Sequence, residues 1–147
     1  MRETVTRLIS GSVYIVLLIA ATLFSQTSFL ILFGVFLLIL IFEFCNLVNL
    51  NKSIAMLLGL GLYFIFTYFQ IGFSNAILLI IGTLFIAFKL MYLLFKNLTF
   101  KQDILSKYVN LIGYIILPII ILTKIPFQNQ IFEPKIIISI FILIWTN

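Results

Sequence analysis

Few side chains in this sequence can do acid–base or metal chemistry. There is no histidine, so the commonest general base and transition-metal ligand is missing. The single cysteine, Cys45, lies in an apolar run, which predicts a small buried side chain and no intrachain disulfide. No two carboxylates are close in sequence, which predicts no paired-acid site. The four acidic residues are Glu3, Glu43, Asp103 and Glu133.

Glu43 stands out because it lies within an apolar run, and charged groups at membrane depth are usually paired or functional. Arg7, at the start of the first apolar run, sits at a similar depth. We therefore predict an ion pair between Glu43 and Arg7 that joins the first two helices. An equally weighted alternative is that Glu43 lines a polar cavity. The Gly59-Leu60-Gly61 triplet lacks the rest of a phosphate-binding loop and predicts close helix packing instead.

The composition fixes the kind of protein that must position these residues. Of 147 residues, 64% are apolar and 9% charged, whereas soluble domains are about half apolar and a quarter charged. A chain this short cannot hide so much hydrocarbon from water. The composition excludes a soluble enzyme, a nucleic-acid-binding module and a disordered tail, so no nucleic acid partner is expected. The net charge of +5 points to anionic lipid headgroups as partners.

Apolar runs separated by short polar breaks predict an all-α, multi-pass transmembrane protein with about six spans, the last of them truncated. Ser28 and Ser53 are predicted to cap the helices that follow them, and Pro134 suits a first helical turn. Pro118 falls inside a run and should kink it. The predicted spans cover residues 8–24, 29–45, 54–69, 76–95, 108–123 and 134–147.

The basic residues predict how the spans are oriented. With the N-terminus in the cytoplasm, seven basic residues lie on the cytoplasmic side, and only Lys124 and Lys135 lie outside. We therefore expect a protein of the cell membrane with a cytoplasmic N-terminus. The last run, from Pro134 to Asn147, is roughly 21 Å long at about 1.5 Å per residue, against a hydrocarbon core of about 30 Å. We expect a longer protein to continue from here; the alternative is a short, tilted or interfacial helix.

Three stretches of this sequence resemble one enzyme family, the phosphatidate cytidylyltransferases, also called CDP-diacylglycerol synthases. The opening, with Thr6-Arg7 followed by a short apolar step and Gly11, resembles the start of these enzymes. Glu43-Phe44 resembles the glutamate–aromatic pair at the end of their second span. The closing run from Phe141 to Asn147 resembles the segment that leads into their aspartate-containing region.

The resemblance implies a membrane nucleotidyltransferase of phospholipid biosynthesis. Such an enzyme moves the cytidylyl group from CTP to phosphatidate and releases diphosphate, with Mg²⁺ bridging phosphates and carboxylates. The catalytic carboxylates of the family would lie beyond Asn147, so the resemblance assigns no catalytic residue or metal ligand here. The chain alone is expected to be inactive or nearly so.

Two other classes of function stay open from the sequence. A transporter or channel fragment would explain Pro118 and the two glycines at 59 and 61 as marks of broken helices. A noncatalytic membrane scaffold subunit is the third interpretation. The sequence also leaves open whether the chain forms a homodimer.

Overall fold

The computed structural model describes residues 2–68, 73–95, 103–128 and 131–146. Of these described residues, 91% are helical, which confirms the all-α prediction. Between Phe127 and Phe132 two short antiparallel strands pair, in a stretch where the sequence predicted only a polar loop. The elements in chain order are α1 (Arg2–Phe24), α2 (Gln26–Val48), α3 (Lys52–Tyr68), α4 (Phe73–Phe95), α5 (Ile104–Leu111), a π-helical segment (Ile112–Ile116), α6 (Leu117–Lys124), β1 (Phe127–Gln128), β2 (Ile131–Phe132) and α7 (Pro134–Thr146).

Three helices in the described residues are long and apolar enough to cross a membrane. They are Gln26–Val48, Ile77–Phe95 and the continuous helix Ile104–Lys124. Shorter apolar helices cover Gly11–Phe24, Lys52–Tyr68 and Pro134–Ile144. By length and composition the chain is therefore a membrane protein, and a count of six spans stays a prediction.

The chain divides into two compact units. The first, here called the terminal unit, comprises Met1–Phe33 and Ile125–Asn147, and the second, the central unit, comprises Gly34–Lys124. The boundary falls inside α2, whose first turns belong to the terminal unit and whose remainder belongs to the central unit.

The terminal unit packs α1 against α7 and gathers aromatic rings. The Phe29 ring lies 4.7 Å from that of Phe33 and 5.5 Å from that of Phe132, centroid to centroid. One residue, Ser25, separates α1 from α2, and its hydroxyl oxygen accepts a hydrogen bond from the Ser28 N–H at 3.0 Å. Ser25 is therefore the N-cap of α2, which corrects the prediction that Ser28 fills this role. As predicted, Pro134 is the first residue of α7.

The central unit has an aliphatic core in which α2, α3 and the helix from Ile104 to Lys124 meet. Buried side chains recur every fourth residue on α2, so that one ridge of the helix faces its neighbours. Gly59 takes part in this packing, since a side chain there would overlap the Ile41 side chain. The prediction that Cys45 is buried is confirmed. The buried core residues are Leu37, Ile41, Cys45, Ala55, Tyr63, Leu111, Ile115, Ile116 and Ile120.

A tight turn joins α2 to α3 in the central unit. Asn49 has φ = 54°, and the Leu50 N–H donates to the Cys45 carbonyl at 3.0 Å, as in a Schellman motif. Asparagine suits this left-handed position better than most residues that carry a Cβ. The Asn51 side-chain oxygen then accepts the Ser53 N–H at 3.1 Å. Asn51, and not Ser53 as predicted, therefore caps α3, because the helix begins earlier than the apolar run.

Candidate functional site

The helix from Ile104 to Lys124 is continuous, but its hydrogen-bond pattern changes at its middle. At the end of the π-helical segment, the Leu117 N–H donates to the carbonyl of Ile112, five residues back. Pro118, the next residue, has no N–H to give the Tyr114 carbonyl, as an α-helix would require. The sequence predicted a kink at Pro118, and the structure shows a widened helical turn directly before it. Such turns occur often at functional sites.

This widened turn lines a groove in the central unit. The groove encloses about 580 Å³, which falls in the range of small-molecule pockets, roughly 300–1,000 Å³. Its walls come from α2, from α4 and from the helix around Pro118. The lining residues, which define the groove, are Leu40, Glu43, Phe44, Leu47, Thr83, Leu84, Ala87, Gly113, Tyr114, Ile115, Pro118 and Ile119.

The groove is apolar apart from a few polar atoms. The Thr83 hydroxyl donates to the Ile80 carbonyl of its own helix at 2.7 Å, so its proton is engaged there. The Tyr114 side chain is exposed, with 56% of its surface accessible. Glu43 is also exposed and is the one carboxylate in the lining. A ligand in the groove therefore meets hydrocarbon along most of its length and a single carboxylate.

Gly113, in the π-helical segment, packs directly against Ile86 of α4. A Cβ at this position would overlap the Ile86 side chain and lie 3.0 Å from the Ile86 Cβ. Because the Ile86 Cβ is fixed to its helix backbone, a larger residue at Gly113 has to push the helices apart. Gly113 therefore sets the spacing between two of the groove's walls.

Near each end of the helix from Ile104 to Lys124, a lysine donates a hydrogen bond to a carbonyl of another helix. The Lys107 ammonium donates to the carbonyl of Val48, the last residue of α2, at 2.6 Å. The Lys124 ammonium donates to the Thr67 carbonyl, in the last turn of α3, at 3.3 Å. Both cations thus meet helix C-termini, where the helix dipole favours positive charge.

These contacts also show which helix ends lie together in the central unit. Lys107 lies at the C-terminus of α2, beside the turn that leads to Lys52, and the Lys52 ammonium lies 4.3 Å from the centroid of the Phe42 ring. Lys124 marks the opposite end of α3. Lys52 and Lys107 therefore share one end of this unit, here called the Lys107 end, and Lys124 lies at the other.

The two residues predicted to pair have different outcomes. Glu43 lines the groove. The alternative hypothesis expected a polar cavity around Glu43, whereas the lining of the groove is largely apolar. Arg7 lies within α1, but its side chain is outside the described part of the structure, and the ion pair stays a prediction.

A magnesium site would need several carboxylates close together. Within residues 2–68, 73–95, 103–128 and 131–146, no three His, Cys, Asp or Glu side chains gather in a way that holds a metal ion. The described residues therefore do not fit a Mg²⁺ site.

Sequence reasoning missed the groove itself. Thr83, Ala87 and Gly113 carry no chemical signal, and their role follows only from which helix faces meet. The lysine contacts had a weak signal, since Lys107 and Lys124 sit close to the ends of a predicted span, where long cationic side chains reach helix termini. No protein-family model, curated protein or solved structure matches this chain.

Proposed function

We propose that the chain is the transmembrane region of a membrane nucleotidyltransferase that makes CDP-diacylglycerol from CTP and phosphatidate. In this proposal the protein lies in the cell membrane, with its N-terminus and its Lys107 end on the cytoplasmic side, where CTP is available. Mg²⁺ would be the cofactor of the complete enzyme.

The observation that carries the proposal is the position of Glu43 and Phe44. These are the residues that resemble the family's glutamate–aromatic pair, and both line the groove. An apolar groove among membrane-length helices is the kind of site that a substrate with acyl chains needs. A single carboxylate at such a groove supplies polarity without filling it with water.

The proposed reaction is a group transfer at phosphorus. A phosphate oxygen of phosphatidate attacks the α-phosphorus of CTP and forms the new phosphoanhydride bond. The bond between the α- and β-phosphates of CTP breaks, and its electron pair leaves with diphosphate. No oxidant or reductant is needed, so catalysis rests on positioning and charge stabilisation.

The test uses the protein encoded by the complete reading frame that contains this sequence. Purified in phosphatidate-containing micelles with CTP and Mg²⁺, it should release diphosphate and CDP-diacylglycerol in equal amounts. Glu43→Gln should lower kcat/KM for phosphatidate by about tenfold, equivalent to about 1.4 kcal/mol. Glu133→Gln, at an exposed position in the terminal unit, is the matched control and should leave the rate unchanged. A folded protein that makes no product would overturn the proposal.

A transporter or channel fragment is the second candidate, favoured by one observation. The π-helical segment and Pro118 make a membrane-length helix irregular at its middle, and transporters form binding sites at irregular helices. Against it, the groove offers one carboxylate and few other polar groups to a solute. Liposomes containing the protein should show solute flux above empty liposomes if this candidate is right, with no consumption of CTP.

A further inference from the structure

The three membrane-length helices contain four charged side chains, which fall into two pairs. Lys107 and Lys124 each donate a hydrogen bond to a carbonyl of another helix. The other two are Glu43 on α2 and Lys89 on α4, and neither forms an ion pair with another residue in the described part of the chain. Charged groups inside a membrane are costly and usually pair with one another. The two charges that lack a partner here have opposite signs.

Helix contacts relate α2 and α4 to the third membrane-length helix. The Ile41 side chain of α2 and the Ile116 side chain of that helix both lie beside Gly59, and Ile86 of α4 packs against Gly113. Both α2 and α4 run antiparallel to it. The C-terminus of α2 is at its first lysine, and a short connection joins α4 to its start. Both helices therefore end on the same side of the central unit.

Glu43 and Lys89 lie at similar depth in the membrane. Glu43 is two residues beyond Ile41, and Lys89 is three residues beyond Ile86, so the Lys89 Cα lies about 6 Å nearer the Lys107 end. Helical side chains lean toward the N-terminus of their helix, which for α4 is the opposite end. The long Lys89 side chain therefore extends back toward the depth of Glu43 and away from the nearer membrane surface.

The two charges face different sides of the central unit. Ala87 of α4 lines the groove together with Glu43. Lys89 follows two residues later, and each helical position turns by about 100°, so Lys89 points about 160° away from Ala87. The α4 helix thus stands between Lys89 and Glu43 of the same copy. The Lys52 ammonium is occupied elsewhere, since it lies 4.3 Å from the centroid of the Phe42 ring.

We propose that copies of this chain assemble head to tail in the membrane, with the Lys89 ammonium of one copy against the Glu43 carboxylate in the groove of the next. None of the side chains of α4 between Ile77 and Phe95 is buried within one copy, so this helix is open to a neighbour. Rotation about the membrane normal keeps every residue at its depth, so charges at similar depth can meet between copies.

The two surfaces of this contact are different, so the contact is heterologous and closes into a ring of three or more copies. Charge complementarity selects a second copy over lipid chains, which offer Lys89 no anion at this depth. Each groove then contains a carboxylate from its own chain and a cation from the neighbouring chain. The interface goes beyond the proposed reaction, because it involves neither CTP nor phosphatidate.

The first test is crosslinking of the intact chain in vesicles, with Cys45→Ala removing the native thiol. Copies carrying Glu43→Cys are reconstituted together with copies carrying Lys89→Cys and treated with a short bismaleimide. Crosslinks between these variants should form at least fivefold more than between Glu43→Cys and Phe88→Cys. Phe88 is the matched control, since it is exposed, lies at the same depth of α4 and is turned about 100° away. Equal crosslinking of the control, or efficient crosslinks between two Lys89→Cys copies, would overturn the proposal.

The second test counts copies per assembly by single-molecule photobleaching in dilute vesicles. The unmodified chain should give three or more copies, and Lys89→Met should raise the dissociation constant about tenfold, because the Glu43 carboxylate loses its partner. Lys135→Met, at an exposed position in the terminal unit, should change nothing. Exchange of the charges, with Glu43→Lys and Lys89→Glu in one chain, should restore the assembly.

The outcomes separate this interface from its alternatives. If Lys89→Met has no effect, the ammonium reaches lipid head groups and the proposal is wrong. If the exchanged charges fold but do not restore assembly, Glu43 has another partner, such as the predicted Arg7, and the proposal is again wrong. The crosslinks decide the case in which the exchanged variant does not fold. Since CTP and phosphatidate are absent throughout, failure here is separate from failure of the proposed reaction.

Discussion

The helices of the terminal unit and those of the central unit pack through different kinds of side chain. In the terminal unit, aromatic rings make the contacts, with Phe29 at the centre and fully buried. In the central unit, the core is aliphatic, and two lysines donate to helix C-termini. The groove also lies in the central unit, so the unit with the two lysine hydrogen bonds is the one that holds the groove.

The difference has a physical reason. Lipid tails are as apolar as the helix surfaces, so apolar contact with another helix gains little over contact with lipid, and close packing and hydrogen bonds hold helices together. Large rings supply many packing contacts at once, which suits the terminal unit. The helix from Ile104 to Lys124 lines the groove with one side, and this side packs against fewer neighbouring side chains. The Lys107 and Lys124 hydrogen bonds hold that helix at its two ends, while one face of its middle lines the groove.

Phe29→Ala in the terminal unit should have the largest effect on stability. The change removes a fully buried ring and its contacts with Phe33 and Phe132, and it should lower the free energy of unfolding by about 3 kcal/mol. Phe24→Ala is the control, because the Phe24 side chain is 86% exposed, and it should cost less than about 0.5 kcal/mol. Steric trapping in bicelles measures both. Equal losses for the two variants would show that the ring cluster does not hold this unit together.

Loss of the two lysine hydrogen bonds of the central unit should have the next largest effect on stability. Lys107→Met removes a short, charge-assisted hydrogen bond and should lower the free energy of unfolding by about 2 kcal/mol. Lys124→Met removes a longer one and should cost about 1 kcal/mol. Lys135→Met, at an exposed position in the terminal unit, controls for loss of charge alone. The same unfolding assay serves, and a larger loss for Lys135 than for Lys107 would contradict this assignment.

The helical class was predictable because uninterrupted apolar runs in lipid leave the backbone no other way to satisfy its hydrogen bonds. The exact ends were not. The helix α2 begins at Gln26 and ends at Val48, three residues beyond the predicted span on each side. Polar residues continue a helix where the membrane meets water, so the end of an apolar run underestimates the helix. This error also misplaced the caps at Ser28 and Ser53.

The buried ridge and the groove were harder to foresee for a different reason. On a soluble helix, polar residues mark the outer face and reveal the buried one. On α2, the lipid-facing residues are as apolar as the buried Phe33 and Leu37, so the sequence pattern does not separate the two faces. The π-helical segment had one signal, Pro118, but a proline predicts a disturbance without predicting whether the turn bends or widens.

The smallest expected effect comes from removing the side-chain N-caps, which begin α2 in the terminal unit and α3 in the central unit. Ser25→Ala in the terminal unit and Asn51→Ala in the central unit each remove a side-chain cap from the following helix. Each should lower the free energy of unfolding by about 1 kcal/mol, because a backbone N–H in the first turn loses its acceptor. Ser25→Asp and Asn51→Asp keep an acceptor and should recover most of that loss. If neither aspartate restores stability, the losses come from packing at the turns, and the caps contribute little in either unit.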